Sequence, residues 1–111
     1  MVPTLGPFLA ALALLVSVPG PEVFTSQNTA VEKTPGGSLY ITPIRHACVL
    51  FQFNGATAYV DPYGLRAEMN LPRADVILIT HTHPDHYDES SINLLSQAST
   101  VFVVPKGRKS I

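Results

Sequence analysis

Residues 81–86 read His-Thr-His-Pro-Asp-His and hold three of the four histidines of this 111-residue chain. Packing a core does not call for that composition. Imidazole and carboxylate are the ligand types that borderline divalent metals such as zinc prefer. His81 and His83 stand two apart on one side of Pro84, while Asp85 and His86 are adjacent on the other. Side chains two apart in a stiff loop can converge on one ion, and Asp85 and His86 do not easily join them there. The loop therefore offers one pair of ligands to each of two neighbouring cations. Two cations about 3.5–4 Å apart can lower the pKa of a bridging water, and the resulting hydroxide attacks a carbonyl or phosphoryl centre. The competing reading is a surface metal scavenger or a solvated tract, and the ordered elements on either side argue against it.

Those elements have to aim the loop. Residues 74–80, ADVILIT, form a continuous apolar run of the kind expected for a strand buried on both faces. Asp88 stands where a helix over residues 89–98 would take its N-cap, with Ile92, Leu94 and Leu95 as the apolar face. Residues 100–104, TVFVV, read as a second buried strand closed by Pro105. Strand, helix and strand in succession imply a parallel pair with a right-handed crossover. The loop then lies at the carboxyl end of a strand, where open α/β sheets place their sites.

Upstream, residues 47–53 and 56–60 flank Asn54-Gly55. That is a hairpin signal, because a type I′ turn needs positive φ at both central positions. Residues 39–44 give a further strand in which Pro43 points to an edge or a strand end. Asp61-Pro62-Tyr63-Gly64 turns the chain after residue 60, and residues 65–73 are a mixed connection. The expected fold class is α/β.

The length allows one small domain at most. With 46% hydrophobic and 14% charged residues the chain is globular rather than disordered. A net charge of -1, with Lys106-Gly107-Arg108-Lys109 as its one basic cluster, argues against a nucleic-acid footprint. A small-molecule substrate is expected instead. Cys48 is the only cysteine, so no intramolecular disulfide forms, and its apolar surroundings mark it as a buried, inert thiol.

Residues 8–18, FLAALALLVSV, are followed by Pro19-Gly20-Pro21. The run is too short to span a bilayer, which takes about 20 apolar residues, and it fits the core of a secretory signal peptide. Residues 1–7 carry no Lys or Arg, however, and no Ala-x-Ala site follows. The expected organisation is a signal peptide and the start of a linker at 1–30, a linker at 31–37 and a domain at 38–111. Such a chain is secreted or periplasmic, with no membrane span once the leader is removed. Without a real leader it is cytoplasmic or membrane-anchored.

The hexapeptide resembles the H-x-H-x-D-H signature of the metallo-β-lactamase superfamily of metal-dependent hydrolases. Three further segments narrow the likeness: Thr42-Pro43-Ile44-Arg45-His46-Ala47 leading into the hairpin, Tyr59-Val60-Asp61-Pro62, and residues 74–80 before the motif. They resemble the branch of ascorbate-6-phosphate lactonase-like hydrolases, with N-acyl-phosphatidylethanolamine phospholipases as more distant members. The likeness covers about residues 40–106.

It implies the N-terminal half of an αββα sandwich and two divalent ions, zinc first, with manganese or iron as alternatives. His81 and His83 would ligate the first ion, and Asp85 and His86 the second. Asp85 would also position the nucleophilic hydroxide. His46 and Asp61 match recurring positions near the site in this branch. The blander readings are a satisfied hairpin histidine and an Asp-Pro turn whose carboxylate caps backbone amides.

One departure stands out. In the family, the second half supplies another histidine to the first ion, and a bridging aspartate and a histidine to the second. Nothing here corresponds to them, since His46 lies upstream of the motif. Two protein ligands per ion fall short of the three usual in catalytic zinc sites. The expectation is a truncated hydrolase acting on a lactone, amide or phosphoester. The alternative is a non-catalytic half-domain that binds metal weakly or needs a partner chain, and a small metal-buffering protein is a third reading.

Overall fold

Each strand pairs with its neighbour in sequence, so the six-stranded sheet has the order β1-β2-β3-β4-β5-β6. A computed structural model describes residues 22–106; the apolar run at 8–18 and the basic residues after Lys106 lie outside the described residues. Strands β1 (Ala30–Thr34), β2 (Gly37–Arg45), β3 (Cys48–Phe53) and β4 (Ala56–Val60) form an antiparallel meander. Strands β5 (Val76–Leu78) and β6 (Val101–Val103) extend it in parallel, with helix α1 (Glu89–Leu95) crossing between them. This is the α/β layout expected.

Asn54 and Gly55 have φ of 48° and 83°, and Phe53 faces Ala56 across the turn. The Asn-Gly hairpin thus takes the two positive φ values that its residues favour. Pro43 lies inside β2, beyond the last rung to β1, which joins Ala30 to Ile41. Its missing N–H therefore leaves no gap in that ladder, and the register slips between Pro43 and Arg45.

Two expectations need correction. Residues 31–37 are not a linker: Ala30–Thr34 is β1, and Pro35-Gly36 is its turn into β2. All five β1 residues are exposed, so the strand is held by its ladder and carries no apolar periodicity to read. Helix α1 ends at Leu95 rather than at residue 98. The N–H of Ala74 takes the Leu95 carbonyl at 2.9 Å, and Arg73 Nη1 takes that of Ser96 at 2.6 Å. The last helical carbonyls are thus satisfied by the segment entering β5.

The core forms on one face of the sheet, where Leu50, Tyr59 and Ile77 pack with Ile92 and Leu95 of α1 and with Leu65. Among the described residues the other face is less covered, most openly at β5 and β6. Ile77 is 0% exposed, but Leu78 beside it is 37%, and Val101 and Val103 on β6 are 57% and 47%. The runs at 74–80 and 100–104 have the composition of strands covered on both sides, and the described residues cover only one.

That asymmetry predicts unequal costs for similar truncations. Ile77→Ala should cost about 2–5 kcal/mol in urea unfolding, and Val101→Ala no more than about 1 kcal/mol. Equal costs would show that the less covered face is buried in solution.

Candidate metal centre

The chain leaves β4 at Asp61, whose N–H still bonds the Leu78 carbonyl of β5 at 2.9 Å. Asp61 has φ of 49°, a left-handed conformation that Asp tolerates better than most residues, and is 2% exposed. Its Oδ1 accepts the Thr80 N–H at 2.7 Å. Its Oδ2 accepts the Thr80 hydroxyl at 2.6 Å and His86 Nδ1–H at 2.8 Å. Burial pushes the Asp61 carboxyl up, but the hydrogen bonds from Thr80 and His86 outweigh it and hold the group below its ordinary value. Asp61 thus caps a backbone amide and also touches the histidine cluster.

An ionised carboxylate only accepts, so Asp61 dictates where the surrounding protons sit. The single hydrogen of the Thr80 hydroxyl goes to Asp61. The Thr80 oxygen then accepts from His81 Nδ1, 3.1 Å away. His81 and His86 are both left with Nε2 as the ring atom bearing a free lone pair. A second group that fixes the tautomer in this way is the usual partner of a metal-binding imidazole.

The loop itself closes on the His83 carbonyl, which accepts the N–H groups of His86 and Tyr87, each at 2.9 Å. This brings the His81 and His86 rings to 3.7 Å between centroids and His81 and His83 to 4.9 Å. Asp88 occupies the N-cap position of α1 but makes no side-chain cap bond. Its Oδ2 instead accepts the Gly64 N–H at 2.9 Å and the Ser91 hydroxyl at 2.6 Å, while Oδ1 accepts the Ser90 hydroxyl at 3.2 Å. The far end of the loop is thereby tied to the connection after β4.

His46 approaches from the β2–β3 turn. Its Nε2 lies 2.9 Å from Asp85 Oδ2, and its ring packs at 5.3 Å from Tyr63 and 5.9 Å from His86. The hydrogen bond from His46 holds the exposed Asp85 carboxyl below its ordinary range. Among the described residues, one group of three side chains has ligand atoms all within 4.8 Å of one another: His46, Asp85 and His86. The His81 and His83 rings are neighbours, and neither belongs to that group.

The donor set fits a divalent cation: the His81 and His86 imidazoles, each with Nδ1 already engaged, beside the Asp85 carboxylate. Thr80 was not singled out by sequence, although its place between the strand and His81 marks it in retrospect. Cys48 is fully buried and pushed up to about 12 by that burial, consistent with an inert thiol.

A family model described as a beta-lactamase superfamily domain matches residues 40–109. The mitochondrial N-acyl-phosphatidylethanolamine-hydrolyzing phospholipase D of Saccharomyces cerevisiae is 30% identical over 102 aligned residues, covering 74% of this chain and 22% of the relative. A UPF0173 protein of Pyrococcus abyssi is 40% identical over 47 residues, 42% of this chain and 22% of its own length. A crystal structure from Parabacteroides distasonis, described as a metal-dependent hydrolase, superposes with a TM-score of 0.63 at 31% identity. That superposition covers 70% of this chain and 36% of the other. The chain thus spans about a quarter of the length of its curated relatives.

Asp88, like Asp61, makes stability depend on acid. Burial raises its carboxyl pKa, and hydrogen bonds from Ser91, Gly64 and Ser90 more than reverse that, leaving it below 3.8. A folded value below the unfolded one means the contribution is complete above 3.8 and is lost as pH falls through the folded value. The urea midpoint should therefore drop in acid, and Asp88→Asn should lessen that drop while costing about 1–3 kcal/mol at pH 7. An unchanged acid dependence in the variant would contradict this.

Proposed function

Because this chain belongs to the β-lactamase superfamily of metal-dependent hydrolases, we propose that residues 80–88 form one half of a dinuclear metal centre. His81 and His83 hold one ion, and Asp85 and His86 the other; zinc is the first choice, with manganese or iron as alternatives. The observation that carries this reading is the Asp61–Thr80–His81 and Asp61–His86 hydrogen bonding, which leaves both Nε2 atoms free. When bound, the cations supply a water acidic enough to act as the nucleophile near neutral pH. Asp85 would accept a hydrogen bond from a water at the site and so orient it toward the substrate. Asp61 keeps His86 and, through Thr80, His81 from rotating as charge develops.

The reaction is hydrolysis of a lactone, amide or phosphoester. The similarity to a phospholipase D favours the phosphoester. The hexapeptide offers each ion two ligands, short of the three usual in catalytic zinc sites, and the second α/β half of the family's sandwich would supply more. The same half would cover the face bearing Leu78, Val101 and Val103. The apolar run at 8–18 supports a secretory leader and hence a secreted or periplasmic site. No helix among the described residues is long and apolar enough to cross a membrane.

Chelation and substitution test the reading. Zinc should be lost from the chain to a chelator, and His81→Ala or Asp85→Asn should weaken zinc binding at least about tenfold. Hydrolysis of bis(p-nitrophenyl) phosphate by the completed protein should vanish on chelation and return with zinc. Hydrolysis that survives both chelation and His81→Ala would overturn the proposal.

A further inference from the structure

The β2–β3 turn brings a residue to the motif from 39 positions away in sequence. We propose that His46 is a third protein ligand of the cation held by Asp85 and His86, so that this chain closes one three-ligand site by itself. The inference rests on the reading of Asp85 and His86 as ligands and adds a residue that the hexapeptide does not contain.

Asp85 Oδ2 sits between two imidazole nitrogens, 2.9 Å from His46 Nε2 and 3.6 Å from His86 Nε2. Ligands about 2.0–2.2 Å from a tetrahedral zinc stand roughly 3.4 Å from each other, and the two observed separations bracket that value. Two histidines and one carboxylate also match the protein ligand set of many catalytic zinc sites, which keep a fourth position for water.

The backbone at His46 points the same way. Its φ of 56° is left-handed, a conformation that His adopts more readily than most residues, and from it the side chain reaches Asp85. The ring is backed by Tyr63 at 5.3 Å, with the Arg45 guanidinium 5.5 Å from the Tyr63 ring and bonded to the Gly64 carbonyl at 3.3 Å. A histidine that merely satisfied its own hairpin would bond within the turn. His46 reaches instead to Asp85, in the middle of the loop.

Two variants separate ligation from support. Asn at position 46 suits the left-handed backbone and is too short to reach the ion. Gln can still donate a hydrogen bond to Asp85 but brings no imidazole. Zinc affinity of the full chain, measured by competition with a chromophoric chelator, should fall about 10–100-fold in both His46→Asn and His46→Gln. The visible spectrum of the cobalt-loaded chain should change with them. Circular dichroism of the metal-free variants checks that the fold persists.

Wild-type affinity in His46→Gln, with Asp85→Asn still weakened, would show that His46 only orients Asp85. That result would overturn the third ligand and leave the proposed function standing. Unchanged affinity in Asp85→Asn as well as in the His46 variants would overturn both.

Discussion

The carboxylate of Asp61, buried to 2% exposure and kept ionised by three hydrogen bonds, is the point through which the sheet and the loop communicate. Its backbone extends the β4–β5 ladder by one rung, and its side chain takes the first amide and hydroxyl after β5. A buried charge is tolerable only when its acceptor sites are filled. Here the fillers are Thr80, which precedes the motif, and His86, which ends it. The cost of burying one carboxylate is thus offset by groups whose positions the site needs.

The same constraint orders the rest of the loop. With both ends fixed, by Asp61 at Thr80 and by Asp88 at Gly64 and Ser91, the residues between them are held without being buried. His81 and His83 remain exposed, as does much of Asp85. Exposure with rigid anchorage suits side chains that are to meet an ion and a substrate. The sheet face bearing Leu78, Val101 and Val103, by contrast, is apolar, and it runs along the strands that carry the loop.

Much of this was legible in the residues. Asn54-Gly55 announces its hairpin because few sequences accept two positive φ values in a row, and the apolar runs at 74–80 and 100–104 announce strands. The hexapeptide announces metal chemistry by ligand type and spacing. What stayed hidden depends on tertiary placement. Strand β1 has no buried face and so no pattern, and α1 stops early because Ala74 and Arg73 take its last carbonyls. His46 shares no local pattern with Asp85, since only the folded meander brings the β2–β3 turn over the loop. Asp88 is an N-cap residue by position alone, its carboxylate being committed to another segment.

If one carboxylate sets the tautomers of two histidines, nitrogen NMR reads that directly. Long-range 15N–1H correlation spectra of the metal-free chain at about pH 8.5, where unperturbed imidazoles are neutral, distinguish a proton on Nδ1 from one on Nε2. His81 and His86 should both carry it on Nδ1, and Asp61→Asn should release them to a mixture. A proton on Nε2 of either ring in the unaltered chain would contradict the account.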